Sequence, residues 1–394
     1  MSHRKLYAVT QPPALSNATR WALAVGCAIS VGNLYYLQPL LAQLARDFNI
    51  TEGRAGLAAT LGQIGYALGM LTIVPLGDIR ERRSLVLTSL LATSAVALAM
   101  AFAPSFEAFR IASLVLGFST CTPQLLVPFA AVLSKPEERG RTVGFVMSGL
   151  LMGILLARTV SGFVGGQFGW RAVYVMAAVL SLIVAAAMRF LLPENRADNA
   201  HLTYPKLLHS LGELVRNEPI LRESAVYGAC LFGAFSAFWT TLAFFLQRQL
   251  HLGPEVAGLF GLVGAAGALS APIAGRLADR DGPRRTILVG ILSVAISFGI
   301  MLVGSIGALV GGVLLMDVGV QAAHISNQSR IFARRPEARN RMNTVYMTTY
   351  FVGGSLGSAL GTWTWASYSW PGVCATGALF ALVALVVFGL TRMG

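Results

Sequence analysis

The chain has 394 residues, of which 55% are hydrophobic and only 12% charged, a mixture too apolar to be hidden inside water-soluble domains. Its formal net charge is +13, from 30 basic and 17 acidic residues. In a soluble fold that sign would suggest nucleic acid, but here the charges fall between long apolar windows, which argues against a nucleic-acid partner and leaves little chain for a soluble catalytic domain.

A helix needs about 20 mostly apolar residues to cross the hydrocarbon core. Such windows predict spans 1 to 6 at roughly 20–44, 55–77, 84–103, 107–133, 141–166 and 170–192. The first shows no cleavage site and is followed by further spans, so it reads as span 1 and not as a signal peptide. A polar stretch follows, in which Leu207, Leu208, Leu211 and Leu214 recur at helical spacing and predict an amphipathic helix on the membrane surface. Spans 7 to 12 are predicted at roughly 222–249, 255–278, 285–304, 306–330, 342–367 and 371–392. The expectation is an all-α integral membrane fold of twelve helices, with an N-terminal half at 1–193, a linker at 194–219 and a C-terminal half at 220–394. Cys27, Cys121, Cys230 and Cys374 lie inside apolar windows without metal-ligand spacing and read as small core residues.

The loops after spans 2, 4, 8 and 10 carry fifteen Lys and Arg residues, among them Arg80, Arg82, Arg83, Lys135, Arg280, Arg335 and Arg341, whereas the alternate loops carry four, Arg46, Arg54, Arg171 and Arg248. Basic residues concentrate in cytoplasmic loops. This asymmetry predicts a multi-pass protein of the cytoplasmic (inner) membrane with both termini and the linker in the cytoplasm.

The halves repeat. Lys135-Pro136-Glu137-Glu138-Arg139-Gly140-Arg141 and Arg335-Pro336-Glu337-Ala338-Arg339-Asn340-Arg341 share one pattern, and Leu76-Gly77-Asp78 after span 2 pairs with Leu277-Ala278-Asp279 after span 8. Two six-helix halves in parallel repeat are a recurring transporter architecture, with the substrate site between them near the bilayer midplane.

At these loops the chain resembles the major facilitator superfamily, whose signature after span 2 is Gly-x-Leu-x-Asp-Arg-x-Gly-Arg-Arg. Gly275, Leu277, Asp279, Arg280, Gly282, Arg284 and Arg285 match it in the C-terminal copy, with one extra residue before the last basic pair. The N-terminal copy keeps Leu76, Asp78, Arg82 and Arg83 but has Val74 and Glu81 where the family prefers glycine. The resemblance implies that these loops act as gates, with Asp78 facing the start of span 11 when the cavity faces out. Span 5 is also similar to the glycine motif of proton-coupled drug and metabolite antiporters. Gly144, Gly153 and Gly162 fit its spacing, while Ala157, Arg158 and Ser161 replace its Gly, Pro and Gly.

Ionisable groups within a membrane are costly and usually functional. Asp317 is the only acid well inside a predicted span and Arg158 the only comparably placed base. Asp317, Gln321, His324 and Gln328 follow i, i+4, i+7, i+11 spacing and form one polar face of span 10. At 1.5 Å per residue Asp317 lies about 17 Å from the outer end of span 10 and Arg158 about 12 Å from that of span 5. The two are therefore expected to interact, directly or through water, and to couple transport to protons. His324 is a candidate relay, since imidazole titrates near neutral pH.

For the substrate surface the candidates are Asn33, Tyr36 and Gln38 on span 1, Thr122 and Gln124 on span 4, Trp239 on span 7, Gln321 on span 10, and Asn343, Tyr346 and Tyr350 on span 11. Gly353, Gly357 and Gly361 repeat a Gly-x-x-x-Gly spacing in span 11 that lets a neighbouring helix approach closely. No phosphate loop, catalytic triad or metal cluster is recognisable. The expected protein is thus a monomeric, cofactor-free transporter and not an enzyme. It is expected to export a small organic molecule against protons by alternating access, or alternatively to import a small organic anion as a facilitator or symporter.

Overall fold

The structure is a computed structural model that describes residues 15–135, 137–195, 203–269, 280, 282–335 and 338–391. Among these residues every regular element is helical. Span 1 is Asn17–Tyr35, extended by a 3₁₀ turn Gln38–Leu40 and a short helix Leu41–Asp47; span 2 is Glu52–Leu76, span 3 Arg82–Ala101, span 4 Phe106–Ser119 plus Thr122–Leu133, span 5 Arg139–Phe168 and span 6 Trp170–Leu191. Span 7 is Pro219–Leu250, span 8 is described over Pro254–Leu269, span 9 is Pro283–Met301 and span 10 Ile306–Arg334. Spans 11 and 12 form one run, Arg339–Leu390, broken at Ser369 with φ 55° and ψ −149°.

Local chemistry sets the starts and the breaks. Ser16, Thr51, Ser105 and Ser305 each stand just before a span and accept a hydrogen bond from the backbone N–H three residues on, covering donors that the helix itself leaves unpaired. Glu81 caps span 3 in the same way, accepting from Arg83 N at 2.9 Å and Ser84 N at 2.6 Å. It also accepts from Asn195 N at 3.1 Å, so the carboxylate that replaces a family glycine clamps the chain leaving span 6. Pro39 has no N–H to continue span 1 and Pro123 follows the interruption in span 4 at Thr120 and Cys121, both in keeping with the helix-breaking effect of proline.

Tyr204–Asn217 forms the linker's surface helix, burying Leu207, Leu211 and Leu214. Its Tyr204 hydroxyl donates to Thr72 O at 3.0 Å. Leu91, Leu182, Ile183, Val289 and Leu382 are among the large apolar residues left exposed on the bundle, the surface that lipid covers.

Spans 1 to 6 pack mainly among themselves and spans 7 to 12 likewise, and the two bundles meet along two seams, span 2 on span 11 and span 5 on span 8. Without a hydrophobic driving force inside lipid, close backbone packing does the holding. Gly353, Gly357 and Gly361 press span 11 onto Ala229, Gly233 and Ala237 of span 7, with no room for a side chain at any of the three. At the second seam, Gly162 meets Gly258 backbone to backbone, and Thr159 Oγ1 donates to Gly258 O at 3.0 Å.

Candidate functional site

Between the two bundles lies a cavity of about 630 Å³. It opens at the arginine-rich end, where Asp78 and Arg82 form one rim, Arg339, Asn340 and Arg341 the other, and Leu211 of the surface helix reaches between them. The opposite end is shut. Trp365 Nε1 donates to Glu52 Oε2 at 2.7 Å across the seam, with Arg248 at 3.6 Å from the same oxygen. Deeper in, Thr60 and Thr240 each donate to Ser358 Oγ at 3.1 Å, and Ser236 donates to Gln63 Oε1 at 3.4 Å. These bonds join spans 2, 7 and 11 below the cavity floor.

Arg158 stands at that floor, only 2% exposed. Its Nε donates to Gln38 Oε1 at 2.6 Å and its Nη1 to Ile154 O at 3.3 Å. The guanidinium carbon lies 4.6 Å from the Tyr35 ring centroid and 4.1 Å from that of Trp239, within the range where an aromatic face attracts a cation. One nitrogen is left over, because Nη2 is buried without a partner. Asp317 faces the same cavity from span 10, and its Oδ1 is likewise buried without a partner. Each group feels the other's charge. The Trp239 indole approaches the carboxylate, yet its Nε1 does not meet hydrogen-bond geometry. Gly264 of span 8 closes the other side, where a Cβ would overlap Asp317 Oδ2.

The whole polar face of span 10, Asp317, Gln321, His324 and Gln328, lines the cavity. His324 Nδ1 is 3.0 Å from the Tyr346 hydroxyl, and Gln328 Nε2 donates to Asn343 Oδ1 at 3.2 Å. Tyr350 lines the wall, its ring stacked on Phe232 at 4.1 Å, and Gln124 reaches the Tyr66 hydroxyl at 3.4 Å. Gln38, Trp239 and Tyr346 stand one layer behind the wall and act through Arg158 and His324.

Three of the expected surface residues lie elsewhere. Asn33 turns to span 6, its amide 3.4 Å from Ser181 Oγ; Tyr36 folds its hydroxyl back beside Gly32; Thr122 is fully buried with its hydroxyl unpartnered. Asn33 lies inside span 1 and Tyr36 keeps helical dihedrals, so helical phase turns both from the cavity, whereas Thr122 follows the interruption in span 4. Phe235, an aromatic candidate on span 7, lines the cavity, and so do Tyr35, Tyr66 and Phe232, which were not singled out as substrate candidates. Their only signal is helical phase.

Of the gate residues, Arg82 is buried and donates to Asn195 Oδ1 at 2.8 Å. Arg83 donates to the Arg189 carbonyl and lies 3.8 Å from Glu194. Arg280 is exposed, while Asp279 lies outside the described residues. Sequence reasoning also overlooked Glu223, which sits at the start of span 7. It binds Arg330 at 3.1 Å, Arg284 at 3.6 Å and the Tyr227 hydroxyl at 2.8 Å, tying the ends of spans 7, 9 and 10 together.

Comparison with known proteins agrees with this architecture. The Major Facilitator Superfamily profile matches residues 23–280 and 229–393. The uncharacterized transporter YgaY of Escherichia coli O157:H7 is 41% identical over 377 residues, covering 95% of both chains. The probable transporter SCO4007 of Streptomyces coelicolor is 35% identical over 357 residues, 90% of this chain and 83% of that one. In fold, the chain is similar to the solved nucleoside transporter NupG with a TM-score of 0.76 at 13% identity, over 94% of this chain and 99% of that one.

Proposed function

The chain belongs to the Major Facilitator Superfamily, a multi-pass membrane transporter and not an enzyme, and from that premise we propose that it exports a small organic molecule across the cytoplasmic membrane in exchange for protons. The carrying observation is the pair Arg158 and Asp317, one on each bundle, set in a single cavity with an unpartnered buried atom apiece. A membrane-buried acid persists only with a partner or a wet cavity. Asp317 has both at hand, so it is the proton carrier of this reading, Arg158 its electrostatic partner and His324 the relay.

In this reading the arginine-rich end is cytoplasmic, the side that basic loops favour. The closed end must then open while the Asp78 and Arg82 rim meets the start of span 11. A proton or substrate can drive that change only by binding one conformation better than the other. The experiment is flux in liposomes under an imposed pH gradient. Wild-type protein accumulates substrate against its gradient, and Asp317→Asn retains exchange but loses accumulation. Proton-driven accumulation by the asparagine variant sinks the assignment.

A second reading rests on the cavity lining, where Arg82, Arg158, Arg339 and Arg341 outnumber Asp78 and Asp317. That surplus favours an organic anion, moved inward by facilitation or proton symport. The direction of proton movement when substrate is added separates the two.

A further inference from the structure

The Arg158 guanidinium is held in place by its neighbours. Gln38 and Ile154 accept from Nε and Nη1, and the Tyr35 and Trp239 rings pack against it, so the group has a fixed position and one nitrogen, Nη2, without a partner. Across the junction of the bundles, Asp317 offers a single unused buried acceptor, Oδ1. Unpaired buried polar atoms are costly, and far more so when charged. A ligand that satisfies only one of the two leaves the other facing it. A plain carboxylate on Arg158 would sit beside a like-charged Asp317, and a plain amine on Asp317 would sit beside a like-charged Arg158.

Resting on the transport reading above, we infer that the ligand is an amphoteric small molecule with an apolar body, its acid group bound by Arg158 and its amino group by Asp317. Such a head group answers both unused atoms with opposite charges and adds no net charge to the site, and it joins spans 5 and 10, which belong to different bundles. Leu150, Ile154, Phe235 and Tyr350 line the adjoining wall and supply an apolar surface for the body. At about 630 Å³ the cavity has the size of a small-molecule site.

Binding to the purified full chain in detergent tests this through ligand-dependent thermal stability. Three matched sets share a body and differ in head group: phenylalanine, 3-phenylpropionate and phenethylamine; tryptophan, indole-3-propionate and tryptamine; leucine, 4-methylpentanoate and 3-methylbutylamine. In at least one set the amino acid binds about tenfold more tightly than both single-charge analogues. Arg158→Gln removes the preference over the amine, and Asp317→Asn removes the preference over the acid. Should either variant fail to fold, Gln38→Ala, which frees the guanidinium without removing it, lowers the preference over the amine several-fold. An acid or amine that matches its amino acid in every set that binds overturns the inference, as does the failure of all three amino acids at about 10 mM. No flux enters these measurements, so a wrong head-group preference rejects the ligand class alone, whereas correct binding without flux rejects transport alone.

Discussion

Glu52 and Trp365 belong to different bundles, and the 2.7 Å bond from the indole N–H to the Glu52 carboxylate crosses the closed end of the cavity. A hydrogen bond to a charged group contributes roughly 1.5–3 kcal/mol, whereas Arg248, largely exposed, adds little. Glu52→Ala is therefore expected to raise the population open at this end by about tenfold or more. Ala42 is buried at this end, so the alkylation rate of an Ala42→Cys reporter reads the change. An unaltered rate means that the threonine and serine bonds deeper in hold the closure by themselves.

Gly264→Ala places a methyl group against the Asp317 carboxylate. Overpacking of this kind costs about 1–3 kcal/mol and displaces the acid from its position opposite Arg158. Proton-driven transport falls while the fold survives, and Gly307→Ala, where nothing stands within 4 Å, is neutral. Equal transport by both variants removes the importance of the span 8 contact.

Gln38→Leu leaves the Arg158 Nε buried without its acceptor, at a cost of about 1–3 kcal/mol. Substrate affinity drops by about tenfold with the cation itself retained. Arg158→Lys loses more, because a lysine cannot hold Gln38 and Ile154 together from one planar fork. Binding isotherms for the two variants rank the effects, and equal losses contradict the positioning role of Gln38.

Protonated and ionised Asp317 differ by one charge, and Asp317→Asn fixes the neutral form. The exchange rate of the wild type varies with pH on both sides of the membrane, and that of the variant is flatter. Lowering pH moves the wild type toward the variant, since an aspartate gains its proton as pH falls. A variant that keeps the wild-type pH profile moves the titrating role to His324.

Glu223→Gln removes the acid that Arg330 and Arg284 share. The cluster is half-buried and the Arg284 contact partly exposed, so losing the charge-assisted hydrogen bonds costs roughly 1.5–3 kcal/mol. Melting temperature drops, and substrate affinity measured below the transition stays near wild type, because the cluster lies away from Arg158.

Much of this arrangement was legible in the sequence because helices in lipid have few choices. Length alone separates the spans, and a polar face such as Asp317 to Gln328 must turn inward wherever lipid covers the rest. Tyr35 and Tyr36 show where that logic ends. They are neighbours on a helical stretch, so their side chains point about 100° apart. Tyr35 meets the cavity and Tyr36 does not, and the sequence does not say which direction faces the other bundle. Thr122 and Gln124, two residues apart on one helix, divide in the same way. Glu223 escaped notice because it stands at a span end, where a charge ordinarily reaches water; its burial depends on Arg284 and Arg330, more than 60 and 100 residues away in the chain.

The contact of Gly162 with Gly258 also has a mechanical meaning. It places a backbone bearing near one end of a long rod, with the Thr159 hydroxyl bonded to Gly258 O beside it. From Gly162 to the far end of span 5 at Arg139 is about 34 Å at 1.5 Å per residue. A turn of about 10° at the bearing swings that far end through about 6 Å, close to one helical pitch. On the transport reading, leverage of this kind turns a small motion among the glycines into a large one at the mouth.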